Sequence, residues 1–566
     1  MLKPEQAPNL VALFRAQAAA KGGAPFLFAK TDGRWSSLTW AEAAAQIDAL
    51  AAALRTLGVA PGDRVVILSE NRPEWLIADF AIMAAGAITV PAYTTNTAAD
   101  HAHILTDSGA RAAIVSTAKL ARPLIEALAE APACRDLIVM EPVAAPVAVQ
   151  DWRTLLATTA SPPPLATTRT DLACLIYTSG TGGRPKGVMQ SHGALLADIA
   201  GCADIIEGDF AIGEDALLSF LPLSHALEHT AGQFLPVALG AEIHYAEGID
   251  KLAANMAETR PTVMIVVPRL FEVLRQRIAR EIEKQGGLPL RLLNRALAAA
   301  DRRAAGRTTL LDRLLAPVID RTLGAKVRAR FGGRLKALVS GGAPLNPEVG
   351  RFFEALGLTV LQGYGLTETS PVLSCNRPSA GVAMDTVGPP IKGAEIRIAE
   401  DGEIMARGEM VMQGYWNLTQ ETARVLSPDG WLATGDIGRF DERGRLQITD
   451  RKKDIIVNDK GDNISPQRLE GLLTLEPEIA QAVVTGDRRP YLVALIVAEE
   501  GADAAAVQAA LDRTNQRLGV TEKVRRFILA DSPFTIENGQ FTPSLKVRRH
   551  AVRAVYGDRL DALYRA

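Results

Sequence analysis

The chain is poor in cysteine, and the few cysteines present are not arranged as a metal site or a disulfide framework. There are four among 566 residues, and no two of them form a Cys-x-x-Cys spacing: Cys134, Cys174, Cys202 and Cys375. Zinc sites and disulfide scaffolds are recognised by closely and regularly spaced cysteines. The sequence therefore predicts neither, and it fits a reducing cytoplasm.

Long apolar segments are also missing. The most membrane-like run, Leu76 to Pro91, contains Asp79 and is shorter than the roughly 20 residues that a spanning helix needs. A buried helix leading into a buried strand (Ala87 to Val90) is the better interpretation. Because Met1 to Glu5 are followed by no apolar segment of the signal-peptide type, no signal peptide is expected.

Neither sign of charge is in marked excess. The formal net charge is −2, so the overall balance does not favour a nucleic-acid partner. The composition, 48% hydrophobic and 22% charged, is typical of soluble globular proteins. The length predicts two or more domains.

One segment departs from this balance. Residues 270–336 contain sixteen Lys/Arg and six Asp/Glu, and their leucines recur at helical spacing. Basic amphipathic helices can lie on anionic lipid. The alternative, equally open at this point, is a solvated helical face whose leucines pack on the protein.

Short β-rich runs alternate with Ala/Leu-rich helical segments from about residue 25 to 450. Clear examples are Arg64 to Leu68, Ala112 to Val115 and Val263 to Val267. Such alternation predicts α/β layers. The charged break Asp450 to Asp454 separates two β-rich stretches, which indicates a hinge followed by a smaller domain.

The most informative segment is a loop that combines glycines, hydroxyls and one lysine. Residues 177–187 are Tyr-Thr-Ser-Gly-Thr-Gly-Gly-Arg-Pro-Lys-Gly; they follow the strand-like Leu172 to Ile176 and precede a helix-like segment from Ser191. Converging backbone N–H groups, hydroxyls and an ammonium suit a polyphosphate. The loop is not a Walker A loop, because Lys186 is followed by Gly187 rather than Ser or Thr.

A second cluster follows the strand-like Leu358 to Leu361. Residues 362–369 are Gln-Gly-Tyr-Gly-Leu-Thr-Glu-Thr. The Glu368 carboxylate is able to hold Mg²⁺, which prefers oxygen ligands and shares them with phosphates. The ring of Tyr364 is able to stack on a base. Taken alone, the segment is better explained as a glycine-rich turn with a helix cap.

Together the two motifs resemble those of the adenylate-forming superfamily: acyl-CoA synthetases, luciferases and peptide-synthetase adenylation domains. Four further segments match in order, at residues 221–229, 340–345, 431–436 and 538–549, so the resemblance covers nearly the whole chain. It implies an α/β fold with a large multi-layer N-terminal domain (1–450) that includes a β-barrel-like subdomain. A hinge (451–454) and a small mobile α+β C-terminal domain (455–566) would follow.

The resemblance also implies a site. Its ATP/AMP-binding residues would be Thr178, Ser179, Gly180, Thr181, Gly182, Lys186, Gly342, Ala343, Gln362, Gly363, Tyr364, Gly365, Thr367, Asp436, Arg451 and Lys546. Glu368 and Thr178 would hold Mg²⁺, Tyr364 would lie on adenine, and Thr367 would lie near the α-phosphate. The family usually has a second Thr at the position of Gly182.

Other roles follow from the same match. Asp436 would grip both ribose hydroxyls, since a carboxylate accepts two O–H hydrogen bonds. Lys546 aligns with the family's C-terminal catalytic lysine, although Ser-Leu-Lys stands here for the usual Ser-Gly-Lys. Lys453 would be the pivot of the hinge, and Lys460 and Gly461 would line the path of CoA.

The segment at 221–229 resembles the lining of the family's acyl site. His225 would be catalytic beside the substrate carboxylate; a satisfied core histidine is the alternative. Long-chain enzymes often have Glu-Arg where this chain has Glu228 and His229. The segment lacks the tryptophan that gates the fatty-acid tunnel in some relatives.

The closest resemblance is to long-chain fatty-acid–CoA ligases. It implies activation of a fatty acid with ATP and Mg²⁺ to acyl-AMP and pyrophosphate, then transfer to CoA. Three alternatives stay open: an acyl-AMP ligase that loads a carrier protein, a CoA ligase for another acid class, and a non-catalytic lipid-binding relative. A cytoplasmic location, peripheral membrane contact through 270–336, a homodimer and no nucleic-acid partner are expected.

Overall fold

A computed structural model describes residues 2–158, 161–162, 164, 166–178, 184–211, 213–459, 462–542 and 547–565. Its strands, in chain order, are β1 (Pro25–Thr31), β2 (Arg34–Thr39), β3 (Arg64–Leu68), β4 (Ile88–Pro91), β5 (Ala112–Val115), β6 (Asp136–Val139), β7 (Ala148–Asp151), β8 (Leu172–Thr178), β9 (Lys186–Ser191), β10 (Ala216–Ser219), β11 (Glu242–Tyr245), β12 (Val263–Val266), β13 (Ala337–Ser340), β14 (Val360–Tyr364), β15 (Ser374–Cys375), β16 (Glu395–Ile398), β17 (Glu403–Arg407), β18 (Gly414–Tyr415), β19 (Leu432–Phe440), β20 (Leu446–Arg451), β21 (Ile456–Val457), β22 (Asn463–Ile464), β23 (Ile479–Thr485), β24 (Leu492–Ala498) and β25 (Val524–Leu529).

The α-helices, also in chain order, are α1 (Leu10–Lys21), α2 (Trp40–Thr56), α3 (Pro73–Ala84), α4 (Ala98–Ser108), α5 (Ala118–Ala127), α6 (Trp152–Leu156), α7 (His192–Asp209), α8 (Leu235–Leu239), α9 (Leu252–Thr259), α10 (Pro268–Gln285), α11 (Gly287–Ala304), α12 (Leu310–Ile319), α13 (Ala325–Arg330), α14 (Pro347–Ala355), α15 (Thr419–Val425), α16 (Pro466–Leu473), α17 (Ala504–Gln516) and α18 (Arg549–Ala562). Two π-helical segments, Glu228–Phe234 and Asp320–Gly324, lead into α8 and α13.

Two eight-stranded sheets form the body of the molecule. One has the strand order β18-β9-β8-β4-β3-β5-β6-β7 and the other β15-β14-β13-β12-β10-β11-β1-β2. Both are parallel in the middle. The first is antiparallel at one edge, in the β18–β9 and β9–β8 pairs, and the second at both edges, in the β14–β15 and β1–β2 pairs. The α/β layers expected from the sequence are therefore confirmed.

The apolar core lies between these sheets and their helices. Every residue of helix α3 except Glu74 is buried, including Asp79. Its sequence is apolar all round because it faces neighbours on every side. The run from Leu76 to Pro91 is thus a buried helix followed by a buried strand, as the sequence predicted. No helix in the described ranges is long and apolar enough to cross a membrane.

A smaller antiparallel sheet, β16-β17-β19-β20, follows the two large sheets. Its end strands, β16 and β20, both lie in the described part of the chain and do not pair with each other, so the expected barrel-like subdomain is an open four-stranded sheet. After a turn at Lys452 to Asp454, the chain builds a separate unit from β21–β22, the sheet β23-β24-β25 and helices α16 to α18.

This C-terminal unit touches the large one at helix α14. Asn346, the N-cap of α14, donates its side-chain N–H to the carbonyl of Gly471, 3.0 Å away. Glu348 forms an ion pair with Arg517. Leu475 also packs against the apolar cluster that contains Phe352 and Phe353 of α14. The observed arrangement of the two units is therefore held by these polar contacts and by apolar packing.

The basic segment 270–336 forms helices α10 to α13 between β12 and β13. Phe271, Ile278 and Leu293 are buried in a cluster with Phe353. The choice between the two interpretations of this segment, a solvated face or a lipid-binding face, depends on how its remaining leucines are placed.

Gly388 gives a test of this packing. Its φ is +78°, and a Cβ atom there would lie 2.1 Å from the carbonyl oxygen of Cys375. An alanine must therefore displace backbone as well as adopt a left-handed conformation. We expect Gly388→Ala to lower the melting temperature by several degrees or to prevent folding.

The matched control is Gly444→Ala. Gly444 has a similar φ of +72°, but no atom of the described residues beyond its immediate neighbours lies within 4 Å of the position that a Cβ would occupy. Both variants carry the left-handed strain of about 1 kcal/mol, and only Gly388→Ala adds the clash. Equal melting temperatures for the two variants in differential scanning calorimetry would contradict the packing described.

Candidate active site

The candidate site begins where β8 and β9 pair. Thr178, the last residue of β8, is in register with Lys186, the first residue of β9. The sequence placed a helix after this loop, and α7 does begin at His192 with Ser191 as its N-cap. Strand β9 between the loop and the helix was not predicted. It brings the two ends of the loop together.

Lys186 is held by a carboxylate and an aromatic ring. Its Nζ lies 2.8 Å from Oε2 of Glu421 and 4.9 Å from the ring centroid of Tyr415. The hydrogen bond from Lys186 keeps the pKa of Glu421 below its usual range. An anion that recruits Lys186 must therefore compete with Glu421.

Glu368 lies in a short 3₁₀ turn after β14 and is tied to the same region. Its Oε1 accepts a hydrogen bond from the Tyr415 hydroxyl at 2.8 Å. Burial, and then the charge of Glu368, raise the pKa of the Tyr415 hydroxyl above its usual range. Tyr415 thus joins Lys186 to Glu368 and brings the two sequence motifs into one site.

The backbone of the turn is fixed from β9 as well. Gln190, fully buried, donates from Nε2 to the carbonyl of Thr367 at 2.7 Å. Thr367 is thereby positioned against the strand that starts at Lys186. Sequence reasoning missed Gln190, Tyr415 and Glu421, because none belongs to a local motif. Gln190 acts through its long-range hydrogen bond to Thr367, and Tyr415 and Glu421 come near Lys186 through the pairing of β18 with β9.

The donor set around Glu368 fits a magnesium ion that shares its ligands with phosphates. Mg²⁺ is bound by one or two carboxylates and keeps its other positions for water and substrate oxygens. No cluster of three or more His, Cys, Asp or Glu side chains suited to a metal occurs among the described residues. The single carboxylate of Glu368 therefore suits a metal that arrives with a nucleotide.

A second group of side chains lies at the end of β14 and the end of β20. The hydroxyl of Tyr364 donates to Oδ2 of Asp436 at 2.8 Å, and Nε of Arg451 donates to Oδ1 at 3.1 Å. Asp436 is 4% exposed. Burial and the neighbouring Asp436 raise the pKa of Tyr364 well above its usual value. These residues were predicted individually, and the structure places them in direct contact.

The other predicted residues near Tyr364 mainly fix the backbone conformation of the site. Gln362 accepts from the backbone N–H of Leu345 at 2.9 Å and donates to the carbonyl of Thr386 at 3.0 Å. Its side chain therefore fixes the turn that contains Gly342 (φ +82°) and Ala343. A Cβ at Gly365 would lie 1.8 Å from the carbonyl of Pro371, so only glycine fits there.

Gly363 has a simpler role, as a member of the sheet. It pairs with Cys375 in the β14–β15 ladder. The structure thus places it beside Tyr364, at the point where the strand ends and the 362–369 motif turns towards Glu368.

His225 lies in the turn between β10 and the first π-helical segment and is half-buried. The backbone N–H of Leu227 donates to its Nδ1 at 3.2 Å, so the neutral ring carries its proton on Nε2. Leu227 in turn lies against Gly341, where a Cβ would approach it to 2.9 Å. The 221–229 segment therefore contacts the 340–345 turn.

Below His225 the chain buries two acidic groups. Glu228 accepts a 2.6 Å hydrogen bond from Ser219, and a Cβ at Gly232 would lie 2.4 Å from Oε1 of Glu228. Burial raises the pKa of Glu228 to about 8. The carboxyl group is therefore largely protonated at pH 7.

His229 is completely buried beside the other acidic group. Its Nε2 lies 2.8 Å from Oδ2 of Asp79, and the edge of Trp75 packs on its ring. This contact explains why an acidic residue stands inside the apolar helix α3. It also shows what His229 does at a position where long-chain enzymes often have arginine.

Some predicted site residues lie outside the described part of the chain. They are Ser179, Gly180, Thr181 and Gly182 of the first loop, Lys460 and Gly461 of the CoA path, and Lys546. Lys453 is described, in the turn between β20 and β21.

Comparison with known proteins assigns the family. Residues 14–416 match the AMP-binding enzymes, and residues 453–566 match the AMP-binding enzyme C-terminal domain. The chain belongs to the AMP-binding enzyme family, that is, to the adenylate-forming superfamily whose motifs it carries.

Its relatives are similar along nearly their whole lengths. Long-chain-fatty-acid–CoA ligase FadD15 of Mycobacterium bovis is 37% identical over 570 residues, which cover 94% of this chain and 93% of the relative. The peroxisomal long chain acyl-CoA synthetase 6 of Arabidopsis thaliana is 31% identical over 588 residues, with coverages of 94% and 82%.

Solved structures confirm the fold. The adenylation domain of carboxylic acid reductase from Segniliparus rugosus, in complex with AMP and a co-purified carboxylic acid, superposes with a TM-score of 0.82 at 22% identity. The match covers 99% of this chain and 94% of that one. The mixed α/β architecture with a large N-terminal and a smaller C-terminal part is common to both.

The contacts of Asp436 lead to a binding prediction. Asp436→Ala leaves the buried hydroxyl of Tyr364 without its acceptor and removes the partner of Arg451. We expect AMP affinity, measured by isothermal titration calorimetry, to fall at least tenfold. The matched control is Glu395→Ala, which removes an exposed ion pair with Arg407 on the same small sheet. Similar affinity losses in the two variants would contradict a ribose-binding role.

The buried Glu228 leads to a pH prediction. Its folded pKa of about 8 exceeds the ordinary value of 4.5, so the unfolded chain releases this proton first as pH rises. The wild type therefore loses stability between about pH 4.5 and 8 through this group. Glu228→Gln has no ionisable carboxyl group at this position and does not lose this stability. Its melting temperature should therefore rise relative to that of the wild type across this window, and the two should coincide near pH 4.5.

The control for this series is Glu395→Gln. The hydrogen bond from Arg407 lowers the pKa of Glu395, so its removal should produce no rise with pH. A melting-temperature difference for Glu228→Gln that is constant from pH 4.5 to 8.5 would mean that Glu228 is ionised in the folded protein.

Proposed function

We propose that this protein is an AMP-forming acid–thiol ligase that activates a long-chain fatty acid and transfers it to CoA. The observation that carries the proposal is the link from Lys186 through Tyr415 to Glu368. It joins, at one place in the fold, the lysine to which the proposal assigns phosphate binding and the carboxylate to which it assigns the metal. The 37% identity to a long-chain-fatty-acid–CoA ligase supports the choice of acid and acceptor.

The chemistry has two steps. A carboxylate oxygen of the acid attacks the α-phosphorus of ATP, and the bond to pyrophosphate breaks, which gives acyl-AMP. The CoA thiol then loses its proton and attacks the acyl carbon, and AMP leaves with the electron pair of the C–O bond. Activation is needed because a carboxylate is a poor electrophile.

The residues act in the first step mainly through position and charge. Lys186 would leave Glu421 and hold the β- and γ-phosphates, and Asp436 with Arg451 would hold the ribose. Glu368 and Thr178 would bind Mg²⁺, which neutralises phosphate charge when it is present. Fixed cations at the point where anions meet are the main source of rate enhancement in such a reaction.

Lys546 and His225 complete the proposed site. Lys546 would lie between the substrate carboxylate and the α-phosphate, and His225 would lie beside that carboxylate. The loop residues 179–182 would supply backbone N–H groups and hydroxyls to the phosphates. These roles rest on the match to the family motifs.

The second step needs a different arrangement of the C-terminal unit. We propose that it rotates about Lys453, which withdraws Lys546 and brings Lys460 and Gly461 to the CoA path. Such hinges consist of a few residues at the ends of elements. The contacts of Asn346 with Gly471 and of Glu348 with Arg517 would break in this rotation. Few bonds are involved, so the rotation is feasible.

Three further expectations belong to the proposal. The protein would work in the cytoplasm, it would contact the inner face of a membrane through residues 270–336, and it would form a homodimer. Small molecules (fatty acid, ATP and CoA) would be its substrates.

The direct test is product analysis after incubation with ATP, Mg²⁺, CoA and a mixture of short- to long-chain fatty acids. A long-chain acyl-CoA product supports the proposal. AMP and pyrophosphate without thioester would indicate an acyl-AMP ligase that requires a carrier protein. A thioester with an aryl acid only would assign another acid class, and absence of all products would indicate a non-catalytic relative.

The role of Lys546 gives a sharper prediction. Lys546→Ala should reduce ATP–pyrophosphate exchange by a hundredfold or more, because it removes a cation that acts only in the first step. Thioester formation from supplied acyl-AMP should change far less. Lys251→Ala, which removes an exposed lysine before α9, should leave both half-reactions unchanged. Undiminished exchange in Lys546→Ala would exclude the proposed role.

A further inference from the structure

Helix α12 exposes apolar side chains and buries an acidic one, which is the opposite of an ordinary surface helix. Four of its apolar side chains face outwards: Leu310 is 73% exposed, Leu314 65%, Leu311 51% and Val318 49%. Asp312 is only 6% exposed and is buried on the inner side together with Ile319. At 100° per residue the four apolar positions fall within about 100° of one another on the helix. We call this surface the α12 face.

The reversal is held in place by specific contacts of Asp312. Arg302 donates to both of its carboxylate oxygens, from Nε at 2.8 Å and from Nη2 at 2.5 Å, and Arg295 donates at 3.1 Å. The side chain also accepts from the backbone N–H of Thr309, the N-cap. Because two arginines of α11 anchor the acidic side, α12 cannot rotate its leucines inwards without breaking these bonds.

The surroundings of the α12 face are positively charged. Five of the six acidic residues in 270–336 are already in ion pairs: Glu272, Glu281, Asp301, Asp312 and Asp320. Arg307 and Arg313 are exposed, and no carboxylate of the described residues lies within ion-pair distance of either. Arg313 stands on α12 itself, at the border of the apolar face. The surplus cations of the segment are therefore available to an external anion.

Exposed leucines inside a rim of unneutralised arginines match one kind of partner best. A bilayer with anionic headgroups offers apolar chains for the leucines and, in the adjacent headgroup layer, phosphates for the arginines. A soluble acidic protein would satisfy the arginines but has no general need for four adjacent apolar contacts. Water satisfies neither requirement.

We propose that the α12 face docks on an anionic membrane surface, with Leu310, Leu311, Leu314 and Val318 inserted and Arg307 and Arg313 on lipid phosphates. This assigns the membrane contact of residues 270–336 to one helix and one orientation. It does not depend on the ligase chemistry, since docking requires neither nucleotide nor acid.

The experiment is flotation of the full-length protein with two kinds of vesicle, phosphatidylglycerol mixed with phosphatidylcholine and phosphatidylcholine alone, in the absence of substrates. We expect binding to the anionic vesicles, reduced by added salt. The double variant Leu310→Ser/Leu314→Ser should partition at least tenfold more weakly. Arg307→Gln/Arg313→Gln should lose the preference for anionic vesicles.

The matched control is Val520→Ser/Val555→Ser, because these valines are 75% and 61% exposed but lie in the C-terminal unit. It should bind vesicles as the wild type does. All variants change exposed side chains, so their melting temperatures should equal that of the wild type. This equality separates loss of docking from loss of fold.

Two outcomes would overturn the proposal. One is equal partition of the wild type and Leu310→Ser/Leu314→Ser. The other is a wild-type oligomer, seen by light scattering, that dissociates in the leucine variant while vesicle binding is unchanged; the α12 face would then be a contact between copies of the chain. Absence of acyl-CoA synthesis with normal vesicle docking would count against the proposed function alone.

Discussion

The pairing of β8 with β9 is the constraint on which the site depends. It sets Thr178 opposite Lys186 at the two ends of the loop to which we assign phosphate binding. Through β9 it extends to β18, whose Tyr415 reaches Glu368, and to Gln190, which fixes the carbonyl of Thr367. A shift of this register by one residue would turn Lys186 to the opposite face of the sheet. Both nucleotide-binding motifs would then lose their common geometry.

Several carboxyl groups of this protein are buried and are stabilised by neighbouring side chains rather than by solvent. Asp436 is buried between Tyr364 and Arg451, and Asp79 is buried against His229. Glu228 takes the other solution, since burial favours its protonated form. Buried carboxyl groups are tolerated only when they are paired or neutral. Two of these three groups lie in the region of the predicted acyl site, where an apolar substrate would meet the protein.

The same principle accounts for the reversed helix α12. Its acidic residue is satisfied by two arginines of the neighbouring helix, which leaves the apolar side chains to face outwards. The fold therefore has two places where polar and apolar groups meet. One surrounds the buried carboxylate of Asp436 in the candidate site, and the other is the α12 face, where an apolar surface is exposed.

Much of the fold and the order of the site motifs could be read from the sequence. Alternating apolar runs predicted strands such as β3, β5 and β12, and the buried helix α3 followed from its uniformly apolar pattern, because periodicity is a local property of the chain. The motifs around Lys186, Glu368 and Asp436 were recognisable because each is contiguous. The same patterns gave no sign of β9, and the family resemblance suggested a barrel-like subdomain where the small sheet is open.

Tertiary structure alone decided which of these residues meet. Tyr415 and Glu421 lie more than two hundred positions from Lys186 and carry no motif, so only the β9–β18 pairing brings them to it. The basic, leucine-rich character of residues 270–336 was plain in the sequence. The sequence did not decide whether the leucines pack on the protein or face outwards. The choice was made by Arg295 and Arg302, which bind Asp312 and turn the leucines outwards. Composition and periodicity determine which elements form, whereas long-range pairing determines which side chains face one another.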